Sequence, residues 1–158
     1  MKNLKDVITE RLHITKQTGI YNYFPETREE LKEILKERLA KDKDADLNDI
    51  DVSKITDIGI VNGYGLFEGL DPHNIKLDKW DVSNVTNMSY IFYYCYNFNS
   101  DLSNWDVSKV EDMKGMFFRC KKFEGKNLEK WDVSKIKDMT DMFYGCDSLK
   151  NKPSWYKV

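Results

Sequence analysis

Apolar and polar positions recur along this chain on a fixed beat. The tetrad Trp80-Asp81-Val82-Ser83 returns as Trp105-Asp106-Val107-Ser108 and again as Trp131-Asp132-Val133-Ser134, at spacings of 25 and 26 residues. The same apolar columns surround each tryptophan. Leu stands three residues before it (Leu77, Leu102, Leu128), Val or Ile five after (Val85, Val110, Ile136) and Met eight after (Met88, Met113, Met139). Phe follows at twelve (Phe92, Phe117, Phe143), Cys at fifteen (Cys95, Cys120, Cys146) and Phe or Leu at eighteen (Phe98, Phe123, Leu149). A self-similar period of roughly 20–50 residues marks stacked units, each too small to bury its apolar face alone.

A worn copy lies upstream, in Leu47, Ile50-Asp51-Val52-Ser53, Ile55, Ile58, Leu66-Phe67 and Leu70. Its Ile50-to-Phe67 distance is 17 residues against 12 elsewhere, which predicts an insertion around 59–65. Ile50 and Leu70 replace Trp and Cys, so these columns ask for apolar bulk. Within a clear repeat, Val85, Met88, Ile91, Phe92 and Cys95 are spaced as one face of a helix. Ser83, Ser108 and Ser134 stand where N-caps belong, Glu111 completes a capping box with Ser108, and Gly145 offers a C-terminal stop. The stretches 75–78, 99–103 and 125–129 read as short strands. One helix and one strand per 25 residues is the leucine-rich-repeat plan. The expected fold class is therefore an α/β repeat, a leucine-rich-repeat-type solenoid.

Residues 1–45 do not repeat. Thr27-Arg28-Glu29-Glu30 is a capping box, and Leu31, Ile34, Leu35 and Leu39 form an apolar stripe, so a helix is predicted from about 27 to 42. An earlier stripe (Leu4, Val7, Ile8, Leu12) suggests a second, shorter helix. The expected organisation is a helical N-terminal cap over 1–45, then a solenoid over 46–158 of one degenerate and three clear repeats. Pro153, Trp155 and Tyr156 would close it as a C-terminal aromatic cap.

The run W-D-V-S-x-V-x-x-M-x-x-M-F-x-x-C, with Leu three before the Trp, extends over residues 47–150. It resembles the BspA-like leucine-rich-repeat surface-protein family of bacteria. The resemblance implies an extended right-handed solenoid used for adhesion or protein binding, usually as a secreted lipoprotein, with no established catalytic residues. This chain departs from the pattern in being short and in showing no export signal.

Composition narrows the function classes. The net charge of −2 over 158 residues leaves no overall nucleic-acid footprint. The charge is uneven, with an acidic stretch at 41–51 and a Lys-rich one at 109–137. Met1-Lys2-Asn3-Leu4-Lys5-Asp6 lacks the apolar core of a signal peptide, and no run reaches the roughly 18 apolar residues of a membrane span. A cytoplasmic location is expected, with a surface or secreted one only if a leader has been removed. An odd count of 3 cysteines argues against a disulfide framework.

Candidate chemistry is sparse. Cys95, Cys120 and Cys146 lack the short C-x-x-C spacing and histidine partners of a zinc site, so buried packing is expected. Asp51, Asp81, Asp106 and Asp132 form a ladder better suited to binding backbone N–H groups in turns than to chelating calcium. Asp42-x-Asp44-x-Asp46 imitates an EF-hand start, but the sixth and twelfth positions hold Leu47 and Ser53. His13 and His73 have no nucleophile elbow or phosphate loop beside them. No metal or cofactor is implied.

The aromatic excess is the remaining signal. Tyr90, Tyr93, Tyr94 and Tyr96 crowd one repeat, and the residue after each ladder Phe is Tyr93, Phe118 or Tyr144. These three are expected to form an exposed row, joined by Tyr94 and Arg119, and aromatic rings and Arg are favoured interface anchors. The other reading is that the rings only cover the outer side of the array. The expected function is a non-enzymatic protein-binding module whose partner is another protein, with nucleic acid not a direct ligand. The alternatives are a small intracellular, phage-type inhibitor of a host enzyme or nucleoprotein complex, and a surface adhesin fragment.

Overall fold

A computed structural model of the chain describes residues 21–157. The short helix expected around Leu4 to Leu12, and His13, lie outside the described residues. Helix α1 spans Arg28–Lys41. Thr27 caps it by accepting the Glu30 N–H, and Glu30 reaches back to accept the Glu26 N–H. Glu29 and Glu30 stand in the first turn and Arg38 and Lys41 in the last, matching the helix dipole. The apolar stripe Leu31, Ile34, Leu35 and Leu39 is buried and joins the same core as the repeats.

The repeats overturn the expected fold class. Among the described residues α1 is the only α-helix, one short 3-10 turn covers Leu128–Lys130, and the β pairing consists of isolated bridges without a sheet. The chain is therefore not an α/β leucine-rich-repeat solenoid of helix-plus-strand units. Each repeat is a succession of tight turns, closed by N–H donation to the carbonyl three residues back. Val85 donates to Val82, Tyr93 to Tyr90, Cys95 to Phe92 and Phe98 to Cys95. A helix would consume every amide internally. Here the alternate amides leave the repeat, since the N–H groups of Met88, Tyr90, Phe92 and Tyr94 donate to Asp112, Lys114, Met116 and Phe118 in the next one.

Backbone conformation explains the difference. Tyr90, Gly115 and Asp141 share one repeat position, and all three have left-handed φ values of 54°, 54° and 57°. Four residues on, Tyr94, Arg119 and Gly145 are left-handed as well, at 57°, 60° and 72°. A left-handed residue ends a right-handed helix, so two per repeat leave room only for turns. The serines expected as helix N-caps serve these turns instead. The Ser83 and Ser108 N–H groups donate to Asp81 and Asp106, while Glu111 pairs with Lys137 of the next repeat.

Two columns of side-chain donors fasten one repeat to the one before. The indole Nε1 of Trp80, Trp105, Trp131 and Trp155 donates to the carbonyls of Leu47, Leu77, Leu102 and Leu128, at 2.8, 3.0, 3.1 and 2.9 Å. The thiols of Cys95, Cys120 and Cys146 donate to the carbonyls of Phe67, Phe92 and Phe117. Those carbonyls each also accept a turn N–H from their own repeat, for example Trp80 N–H on Leu47's successor Leu77 and Cys95 N–H on Phe92. The side chains of these four Leu residues are themselves buried in the core, which is why the column three before each Trp is apolar. Ile50 and Leu70 belong to the first repeat, which has no earlier repeat to bond to, and α1 packs there instead. The Phe column stacks Phe67, Phe92, Phe117 and Phe143 at 5.0, 5.7 and 5.7 Å between centroids.

Candidate binding strip

The insertion predicted at 59–65 contains a tight turn that pairs Val61 with Tyr64 across left-handed Asn62 and Gly63. Asn-Gly at these positions is the favoured hairpin turn. Helix α1 holds this segment from below. Arg28 donates to the Gly59 and Tyr64 carbonyls, and the Lys32 ammonium to those of Gly65, Leu66 and Glu68. Burial, followed by the nearby Arg28 and Lys36 charges, pushes Lys32 down to about 8. The segment fixed in this way abuts the aromatic strip: a Cβ on Gly65 would lie 2.1 Å from the Tyr90 carbonyl.

Tyr93, Phe118 and Tyr144 do come together. Their rings follow one another at 5.3 and 4.9 Å, the second pair nearly parallel at 16°. Tyr144 is 55% exposed, whereas Tyr93 and Phe118 are half-buried by their neighbours. No helix turns them outward, contrary to the expected repeat: in these turns the Phe before each one is buried in the core, and the next residue faces out. Tyr94 lies against Tyr93 and Phe118 at 4.3 and 5.8 Å. The Arg119 guanidinium sits over Tyr94 and Phe118 at 5.5 and 5.9 Å.

Three further residues belong to the strip. Tyr90 meets Tyr93 edge-on at 5.2 Å, Tyr96 meets Tyr94 at 5.7 Å, and the Lys121 ammonium lies 5.6 Å from the Tyr96 ring. Tyr90 and Tyr96 were visible in the sequence as crowding; Lys121 had no signal of its own. Glycine is required beside them, because a Cβ on Gly115 would lie 2.3 Å from the Tyr90 ring. Desolvation, with the Tyr94 hydroxyl next, raises the Tyr93 phenol above its ordinary value, so it stays neutral. Arg119 and Lys121 have no carboxylate within ion-pair distance among the described residues. The strip is thus apolar ring surface edged by unneutralised cations.

The other candidates resolve into structure. Asp51, Asp81, Asp106 and Asp132 each accept the N–H of the Ser two residues on. Hydrogen bonds from the Ser108 and Ser134 side chains, and then from their backbone N–H groups, lower the Asp106 and Asp132 carboxyls from their ordinary value. A second such column, Asp57, Asn87, Asp112 and Asp138, was missed and carries the bridges between repeats. Burial pushes the Cys95 and Cys120 thiols well up and Cys146 to about 12. In the acidic stretch, Asp42 accepts the Asp44 N–H and Asp44 accepts the Asn74 N–H. His73 lies 3.7 Å from Asp44 and 3.6 Å from Asp71. Among the described residues no group of three or more His, Cys, Asp or Glu is arranged to hold a metal, and no helix is long and apolar enough to cross a membrane.

No curated protein and no solved structure matches the chain. Nothing in the comparisons points to a leucine-rich repeat or to an inhibitor. One family model matches residues 29–156, a span that takes in nearly all of α1 and every repeat. On that match the chain belongs to the family described as Mycoplasma protein of unknown function, DUF285.

Proposed function

We propose that this protein is a non-enzymatic binding module that engages another protein through the strip Tyr93, Tyr94, Phe118, Arg119 and Tyr144. One observation carries the reading. Tyr94 and Arg119 are held in left-handed backbone where the matching residues are glycines, Gly69 and Gly145. A non-glycine side chain there costs about 1 kcal/mol or more. Glycine meets the local need without that cost, so the two side chains are kept for what they present. What they present is a cation lying on two aromatic faces, next to Tyr144 in solvent.

Arg and Tyr are the side chains that most often dominate interface energetics. The unneutralised Arg119 and Lys121 favour an acidic segment on the partner. The motif's resemblance to BspA-like surface proteins supports the same reading, since that family is used for adhesion or protein binding.

The test uses immobilised full-length protein and lysate of the organism that carries the gene. Three baits are compared: wild type, the triple variant Tyr93→Ser, Phe118→Ser, Tyr144→Ser, and a control with Asp42→Asn and Asp46→Asn in the acidic stretch. A protein retained by wild type and control but lost from a folded triple variant supports the strip. Equal retention by all three places the interface elsewhere.

A further inference from the structure

Each repeat hands its free amides to the next. Met88, Tyr90, Phe92 and Tyr94 donate to the carbonyls of Asp112, Lys114, Met116 and Phe118 at 2.8, 2.8, 3.0 and 3.0 Å. Met113, Gly115, Phe117 and Arg119 donate to Asp138, Thr140, Met142 and Tyr144 at 2.8, 2.9, 3.0 and 2.7 Å. The same four columns in the last repeat are Met139, Asp141, Phe143 and Gly145. Their N–H groups meet no acceptor among the described residues. The side chains around them change in step. Val107, Val110 and Met113 are 1%, 0% and 0% exposed, whereas their counterparts Val133, Ile136 and Met139 are only partly buried. Tyr144 has Phe118 stacked against its ring and is still 55% exposed.

A row of unpaired amides beside apolar side chains that are only partly buried is a template for pairing with another chain. We propose that the edge formed by residues 139–145 captures an extended segment of another polypeptide as one further rung of the ladder. The rung beneath defines the ligand's chemistry. It must present carbonyls at alternate residues, carry Met and Phe at the core columns, and place an aromatic ring after the Phe so that it lands on Tyr144. The nearly parallel Phe118–Tyr144 pair shows the geometry of that last contact. Tyr156 now lies edge-on to Phe143 at 5.0 Å and takes up part of this place, so an arriving segment displaces it. In such strand addition the main chain supplies affinity and side-chain pockets supply specificity. The inference goes beyond the strip reading, because backbone donors rather than tyrosines carry it.

The probe is a capped synthetic peptide with the sequence of residues 111–119, titrated into the ¹⁵N-labelled full-length protein. The amides of Met139, Asp141, Phe143 and Gly145 are expected to shift and to slow in hydrogen exchange by roughly tenfold or more. Those of Met113, Gly115, Phe117 and Arg119, already bonded, should hardly change. Tyr156→Ala should tighten peptide binding. The proposal is overturned if the four amides do not slow, if a scrambled peptide slows them equally, or if Tyr156→Ala fails to tighten binding. Tyr94→Gly should leave this titration unchanged, so the edge and the strip fail separately.

Discussion

A tryptophan and a cysteine in each repeat do two jobs, and only one of them is apolar. Trp105 is 3% exposed and stacks on Trp80 at 6.3 Å, while its indole N–H reaches the Leu77 carbonyl. Trp105→Ala should cost about 3–5 kcal/mol in chemical denaturation, as large aromatic truncations in cores do. Trp105→Phe keeps most of the bulk and loses the hydrogen bond. It should cost only about 1–2 kcal/mol, because Leu77 still accepts the Trp80 N–H. A Phe variant as unstable as the Ala variant would make the hydrogen bond, not the packing, dominant. The thiols give a pH signature. Cys146 keeps its proton in the fold up to about 12, whereas an unfolded thiol loses it near 8.5. Its folded pKa is raised, so its contribution is intact below that unfolded value and is lost as pH rises above it. The stability difference between wild type and Cys146→Val should therefore move against wild type from pH 8 to 10. A flat difference would mean that the thiol is ionised in the fold.

At the level of elements, reading the sequence succeeded where one local rule decided the outcome. The Thr27 cap and the Leu31 to Leu39 stripe located α1 to within a residue or two of Arg28–Lys41. Thr27→Ala should cost about 1 kcal/mol, measured by denaturation. The repeats misled because apolar spacings of three and four fit both a helix and a run of turns. The discriminating sign was Gly115 in mid-"helix", at the position of Tyr90 and Asp141, all three left-handed. Gly115→Ala therefore combines strained φ with a clash on the Tyr90 ring. It should cost about 1–3 kcal/mol and shift the tyrosine near-UV signal; a silent substitution would place Tyr90 elsewhere. The strip residues were legible from their position after the ladder Phe. Lys121 was not, because the ring it meets, Tyr96, lies one repeat away; the second Asp column was not, because Asn87 interrupts the Asp and the residue whose N–H it accepts changes from Gly59 to Ser89, Lys114 and Thr140.

Across the whole molecule, one core runs from α1 through every repeat to Trp155 and Tyr156, and the aromatic strip lies on its outer side. The core accounts for the period, and the left-handed positions account for the turns. Neither accounts for Arg119, which is exposed and strained in a column that holds glycine at Gly69 and Gly145. Arg119→Gly relieves about 1 kcal/mol of backbone strain and gives up a cation–π contact of about 0.5–1 kcal/mol. The two nearly cancel, so stability and binding become separable in this single variant. The decisive measurement is its denaturation curve taken together with retention of the strip-dependent partner. A midpoint close to that of wild type with partner retention clearly reduced is the predicted result. A folded variant that retains the partner as wild type does, or one destabilised by well over about 1 kcal/mol, would contradict the assignment of Arg119 to binding.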